Sequence, residues 1–190
     1  MQHAAAASGA RRVSQTALSG AGGVTAFTSA PLRPGVAAAK SHVLHPGDVV
    51  LALRDDSLDT LLGSCVAIIL TDPRRTLAAM CHFVHASATG SAKTAKDCSH
   101  AEPALAAMFA LLRQRGINPQ MCQAYVYGGG NMFPGLFDQT HVGSRNVRWA
   151  LAALAEKGIA VLAKNLCGTT YRRVIWTVGI SPPQVSAVEV

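Results

Sequence analysis

The chain has 190 residues, 49% of them hydrophobic, and a formal net charge of +7. That is length and apolar content enough for one domain with its own core plus an appendage. No run approaches the roughly 18 consecutive apolar residues of a membrane helix and no continuous apolar segment opens the chain as in a secretory signal, so the expected location is cytoplasmic. The charge is not that of a nucleic-acid groove: Arg11, Arg12, Arg33 and Lys40, with no acid among residues 1–40, hold four of the seven net charges, and the other basic residues are scattered.

Residues 1–40 are dominated by Ala, Ser, Gly, Thr and Pro. Such small side chains bury too little surface to offset a backbone-ordering cost of about 1–2 kcal/mol per residue, so a disordered tail is expected. Pattern begins after Pro46-Gly47. Asp48–Leu53 reads as a strand, Asp55-Asp56-Ser57 as a turn, and Leu61–Leu70 as a second strand. The run Val66-Ala67-Ile68-Ile69-Leu70 does not alternate, as expected of a strand covered on both faces. A turn at Thr71–Arg75 leads to a strand over Leu77–Val84, followed by a polar loop over residues 86–100.

Residues Glu102–Arg115 are the clearest helix, with Pro103 tolerated in the first turn and Leu105, Met108, Phe109 and Leu112 on one face. Gln123–Tyr127 is a strand that empties into Gly128-Gly129-Gly130-Asn131. Val147–Glu156 is a second amphipathic helix, with Asn146 as its expected cap. Ile159–Asn165 and Arg172–Val178 are further strands, Arg172 and Arg173 read as surface charges, and residues 181–190 read as a C-terminal tail. The expected fold is therefore α/β or α+β, with packed β-sheets flanked by helices over residues 41–180. Neither of the glycine-rich nucleotide fingerprints is present.

Five cysteines, Cys65, Cys81, Cys98, Cys122 and Cys167, form no C-x-x-C pair and are too sparse for a disulfide scaffold, so reduced thiols are expected. Cys65 follows Gly63-Ser64 at the mouth of an apolar run, where backbone N–H groups can face an incoming oxygen. A free thiol titrates near 8.5, and a neighbouring imidazole raises its reactivity at neutral pH. His82, in the adjacent strand, is the candidate, with Thr60 or Asp59 as the group that orients it. A buried structural thiol and a satisfied strand-end histidine account for the same residues. Ser64, Gly129, Gly130, Asn131, Arg145 and Asn146 are the candidate substrate contacts, although bland turn formation explains the glycine run and Gly143–Asn146 about as well.

His42, His45, Cys81, His82, His85, Cys98 and His100 invite a zinc reading. Their spacing matches neither a structural nor a metalloprotease site, and Cys81 and His82 should face opposite sides of a strand. No metal site is expected.

Four ordered blocks, Leu62-Gly63-Ser64-Cys65-Val66-Ala67, His82 at its distance, Tyr127-Gly128-Gly129-Gly130-Asn131-Met132 and Val142-Gly143-Ser144-Arg145-Asn146-Val147, closely resemble the CheD family of chemoreceptor glutamine deamidases over about residues 43–178. The resemblance implies a fold similar to toxin-type cysteine deamidase domains and a Cys-His-Thr site, matched here by Cys65, His82 and, as the only nearby candidate, Thr60. It implies hydrolysis of selected glutamine side chains of methyl-accepting chemotaxis receptors, without metal or organic cofactor, and a CheC-type phosphatase as a further partner. A noncatalytic adaptor that binds receptors or that phosphatase is the alternative. The chain departs from the family at Cys167-Gly168-Thr169, where a Gly-Gly pair is common, and at Cys81 and His85.

Overall fold

The computed structural model describes residues 38–86, 97–136 and 141–188. In chain order the elements are β1 (Ser41–Leu44), β2 (Val49–Leu53), β3 (Ser57–Leu62), β4 (Val66–Thr71), β5 (Leu77–Phe83), α1 (Ala101–Gln114), β6 (Gln123–Gly128), α2 (Val142–Glu156), β7 (Ala160–Leu166), β8 (Tyr171–Thr177) and β9 (Gln184–Val188), with a short 3-10 turn at Pro119–Met121. The strands form a four-stranded sheet, β1-β3-β8-β9, and a five-stranded sheet, β2-β5-β4-β6-β7. The architecture is α+β, packed sheets flanked by helices.

The apolar run at 66–70 is the middle of this arrangement. β4 lies between β5 and β6, antiparallel to both, and all six of its residues are buried. Alternation of side chains along the strand splits them between two cores. Val66, Ile68 and Leu70 pack with α1 and α2 residues such as Met108, Leu112 and Leu154. Ala67 and Ile69 pack the other way, against Leu58, Leu62, Val174 and Trp176 of the four-stranded sheet. Burying each Ile or Leu of this strand contributes about 1.5–3 kcal/mol, and a polar residue at any of positions 66–70 would face one core or the other.

The expected strand over Leu61–Leu70 is two strands in different sheets. β3 pairs with β1 and β8, β4 with β5 and β6, and Gly63-Ser64-Cys65 carries the chain between the sheets. The apolar run looks continuous because both strands line the inter-sheet core, so hydropathy cannot reveal the change of sheet. The second helix also differs. It begins at Val142, and its cap is His141, whose ring accepts from the Ser144 N–H at 3.3 Å, so Asn146 lies within the first turns and is not the cap. The early start follows from contact: a Cβ on Gly143 would lie 2.5 Å from the Gly129 carbonyl. Glycine, a poor helix former, is required there so that α2 can approach the Gly128–Gly130 loop.

Residues 184–188 are not a loose end. β9 pairs antiparallel with β8 over Ile175↔Gln184 to Tyr171↔Val188, satisfying an edge that would otherwise be open. Of the expected N-terminal tail, residues 1–37 lie outside the described residues, as do residues 87–96 of the polar loop after His82. Among the described residues no helix is long and apolar enough to cross a membrane.

Candidate active site

Thr60 and His82 meet at one end of the interface between the sheets, and Cys65 lines the same cleft as His82. His82 is held by its backbone, its N–H donating to the Asp48 carbonyl at 3.0 Å and its carbonyl accepting from Gly47 N–H at 2.7 Å. Its side chain points into the inter-sheet layer, whereas Cys81 belongs to the core under the helices, as alternation requires. Ala67 lies directly opposite His82 across the β4–β5 pair. Cys65, two residues before Ala67, packs against the same inter-sheet cluster and is thus the diagonal neighbour of His82.

Thr60 approaches His82 from the other sheet. Its Oγ1 lies 2.9 Å from His82 Nδ1 and donates to the Leu44 carbonyl at 2.8 Å. A hydroxyl has one proton. With that proton given to Leu44, Thr60 can only accept from Nδ1–H, and the Leu44 carbonyl acts on the ring in the same sense, favouring its charged form. The proton is therefore on Nδ1 and the lone pair on Nε2. Nε2 is buried and has no hydrogen-bond partner, while His82 and Cys65 both line one cleft. Asp59, the competing orienter, faces away on the surface, where its carboxylate takes two hydrogen bonds from Arg173, at 2.9 and 2.5 Å.

Burial sets the resting charges. It pushes the half-buried Cys65 thiol above its ordinary value, partly countered by the residue's own backbone N–H, which reaches the sulfur. It pulls the His82 imidazole below 6.5, against the Leu44 carbonyl and the Asp48 charge. The cleft consequently holds a neutral thiol and a neutral imidazole at rest, not the charged sulfur that a simple activation scheme assumes.

The cleft has a volume of about 780 Å³. Ser64, Gly130, Asn131 and Arg145 of the expected substrate contacts line it; Gly129 and Asn146 do not. Gly129 sits behind the loop, its N–H donating to the Cys65 carbonyl at 2.7 Å, while Gly130 N–H donates to the Gly63 carbonyl at 2.8 Å. Asn146 is buried, and its Nδ2 donates to the Ser64 carbonyl at 3.2 Å and the Val84 carbonyl at 2.7 Å, tying the Cys65 segment to the end of β5. Both residues support the cysteine loop rather than face the cleft. Gly128 completes the arrangement: at φ +111° it has a conformation that disfavours any other residue, and a Cβ there would collide with the Cys65 carbonyl.

Arg172 is a correction. It is only 4% exposed, and its guanidinium donates to the carbonyls of Gly128 at 3.2 Å, Asn165 at 2.7 Å and Cys167. Its two-residue spacing from Val174 and Trp176, which are buried on the same face of β8, was the signal in the sequence that it turns inward. It pins the loop carrying Gly128, and Cys167 beside it adopts φ +63°, a left-handed conformation that costs a cysteine about 1–2 kcal/mol and glycine nothing. Among the described residues no three His, Cys, Asp or Glu side chains converge as a metal site would need; His85 and His100 instead stack, with ring centroids 5.4 Å apart.

Residues 85–180 match the family model CheD, described as CheD chemotactic sensory transduction. A protein of Albidiferax ferrireducens described as a probable chemoreceptor glutamine deamidase CheD 2 is 37% identical over 138 residues, 71% of this chain and 80% of that protein. A probable chemoreceptor glutamine deamidase CheD of Pseudomonas savastanoi pv. phaseolicola is 34% identical over 137 residues, 70% of this chain and 77% of that one. The crystal structure of a Neisseria meningitidis protein is matched at 12% identity and a TM-score of 0.38, over 70% of this chain and 65% of that chain, a likeness too distant to inform fold or chemistry. The family-model match begins after Thr60, Cys65 and His82.

Proposed function

This chain belongs to the CheD family, and on that premise we propose that it is a protein-glutamine deamidase that converts glutamine side chains of methyl-accepting chemotaxis receptors to glutamate, with Cys65 as nucleophile, His82 as general base and acid, and Thr60 as the group that orients the imidazole. The observation that carries the reading is the state of His82: Nδ1 engaged by Thr60, Nε2 buried without a partner, and the ring sharing a cleft with a half-buried thiol. A free lone pair beside a thiol is what nucleophilic amide hydrolysis needs.

In this mechanism Nε2 takes the Sγ proton as the sulfur attacks the side-chain amide carbon. Because both groups rest neutral, deprotonation accompanies attack rather than preceding it. The Cys65 backbone N–H, already directed at the sulfur, donates to the developing oxyanion. The imidazolium then protonates the departing ammonia, leaving a thioester. Water, deprotonated by the same Nε2, hydrolyses the thioester, restores the thiol and leaves glutamate. Each turnover replaces a neutral side chain of a receptor helix with a negative one, which shifts repulsion between neighbouring helices and biases a nearly balanced signalling equilibrium. A CheC-type phosphatase is a further partner on this reading.

The test is incubation with a soluble receptor cytoplasmic fragment, reading ammonia release together with the mass change of amide-to-acid conversion at each glutamine. Wild type is expected to give both, and Cys65→Ala neither while remaining folded. Receptor binding by the wild type without product would replace this reading with that of a noncatalytic adaptor.

A further inference from the structure

The cleft contains a feature that the proposed chemistry does not use. Of the described residues lining it, Arg145 alone carries a full charge. The residue is exposed, and among the described residues its side chain makes no hydrogen bond or ion pair. It stands in the first turns of α2, which contain no acidic residue, so the guanidinium gains nothing from its own helix. Around it the mouth of the cleft is apolar: Val43, Leu61, Phe133 and Val142 are all among the exposed large hydrophobic residues. An apolar rim with one cation that has no partner among the described residues fits a surface that is itself apolar but for one anionic side chain.

We propose that Arg145 is a specificity-determining residue that reads an aspartate or glutamate one helical turn from the target glutamine; this deepens the deamidase reading and rests on it. A helix laid against the rim with its glutamine directed at Cys65 turns the residues three and four positions away toward the same face, about 5–6 Å from it. A carboxylate there meets Arg145, and an ammonium is repelled. The glutamine itself is neutral, so the charge beside it separates one amide from another where the reaction centre does not.

The experiment uses the full chain and a receptor cytoplasmic fragment whose modified glutamine has been mapped. The residues three and four positions to either side are set in turn to Glu, Gln or Lys, and kcat/KM for ammonia release is measured with wild type and Arg145→Glu. Wild type is expected to favour Glu over Lys about 5-fold or more at one of these positions, the preference shrinking as salt is raised. Arg145→Glu should invert the order. Should that variant fail to fold, Arg145→Gln must bring Glu and Lys substrates to parity. Wild type and variant ranking the substrates alike at all four positions would overturn the role of Arg145 while leaving the deamidase reading intact. No fragment deamidated by wild type would instead remove that reading, and this inference with it.

Discussion

Replacing Thr60 with valine separates the orienting hydroxyl from everything else the residue does. Valine keeps the β-branched shape in β3 and the volume in the inter-sheet core, where Thr60 is 1% exposed. It removes the 2.9 Å contact with His82 Nδ1 and the 2.8 Å bond to the Leu44 carbonyl. Those two abandoned groups lie on the same side of the ring and can satisfy each other, so the stability cost is about 1–2 kcal/mol rather than the sum of two orphaned buried groups. The Nδ1–H tautomer survives, but the ring must turn toward Leu44 and Nε2 moves off line with the sulfur. A neutral hydrogen bond lost at that point corresponds to a decrease in kcat of roughly 5- to 30-fold, milder than the roughly 100-fold or greater loss expected for His82→Ala. Ammonia release by the two variants and by Thr60→Ser, alongside urea unfolding, measures this. Thr60→Ser should recover most of the rate. Thr60→Val within twofold of wild type, or Thr60→Ser as slow as valine, would refute the orienting role.

Acidification should reveal the depressed imidazole. Activity needs Nε2 unprotonated, and burial holds His82 below its ordinary 6.5, so the acid limb of kcat/KM is expected below pH 6.5; a limb above it would contradict the assignment. The same depression makes the fold lose stability as pH falls below about 6.5, where the unfolded chain takes a proton that the native ring refuses. In His82→Ala the rate of Cys65 alkylation should still be climbing well above pH 8.5, the ordinary thiol value, because burial raises the sulfur above it. Arg172→Met strands the carbonyls of Gly128, Asn165 and Cys167. It is expected to cost about 3 kcal/mol in urea unfolding and to slow turnover more than it raises KM, with Arg172→Lys recovering part of both.

Much of the site was legible in the sequence. A thiol after Gly-Ser at the mouth of an apolar strand, and a histidine near the end of the next strand, suit a core as well as a site, and the four ordered blocks that resemble the CheD family are what singled them out. What could not be read was which threonine or aspartate reached the ring. Thr60 and Asp59 are adjacent in sequence, and strand alternation sends one inward and the other out to Arg173; with β3 read as a turn followed by a longer strand, no face could be assigned to either. Gly129 and Asn146 were expected as substrate contacts from the glycine run after β6 and from the expected start of the second helix, but their hydrogen bonds to the Cys65 and Ser64 carbonyls place them behind the cysteine loop. Arg172 was missed because a buried guanidinium without a carboxylate is exceptional, and its partners are carbonyls that come from three separate segments.

From the amino-acid order alone came the local elements, the expectation of packed sheets with helices against them, and Cys65 and His82 as candidates on neighbouring segments, because periodicity and residue chemistry act over a few positions. Tertiary structure alone decided that one apolar run is two strands in opposing sheets, and that the crossing between them carries the sulfur. It also decided that Thr60 Oγ1 reaches His82 Nδ1 and that burial pushes the Cys65 thiol up and the His82 imidazole down. Each depends on atoms distant in sequence being brought within hydrogen-bond reach and away from water, and neither proximity across sheets nor desolvation is written in any single stretch of the chain.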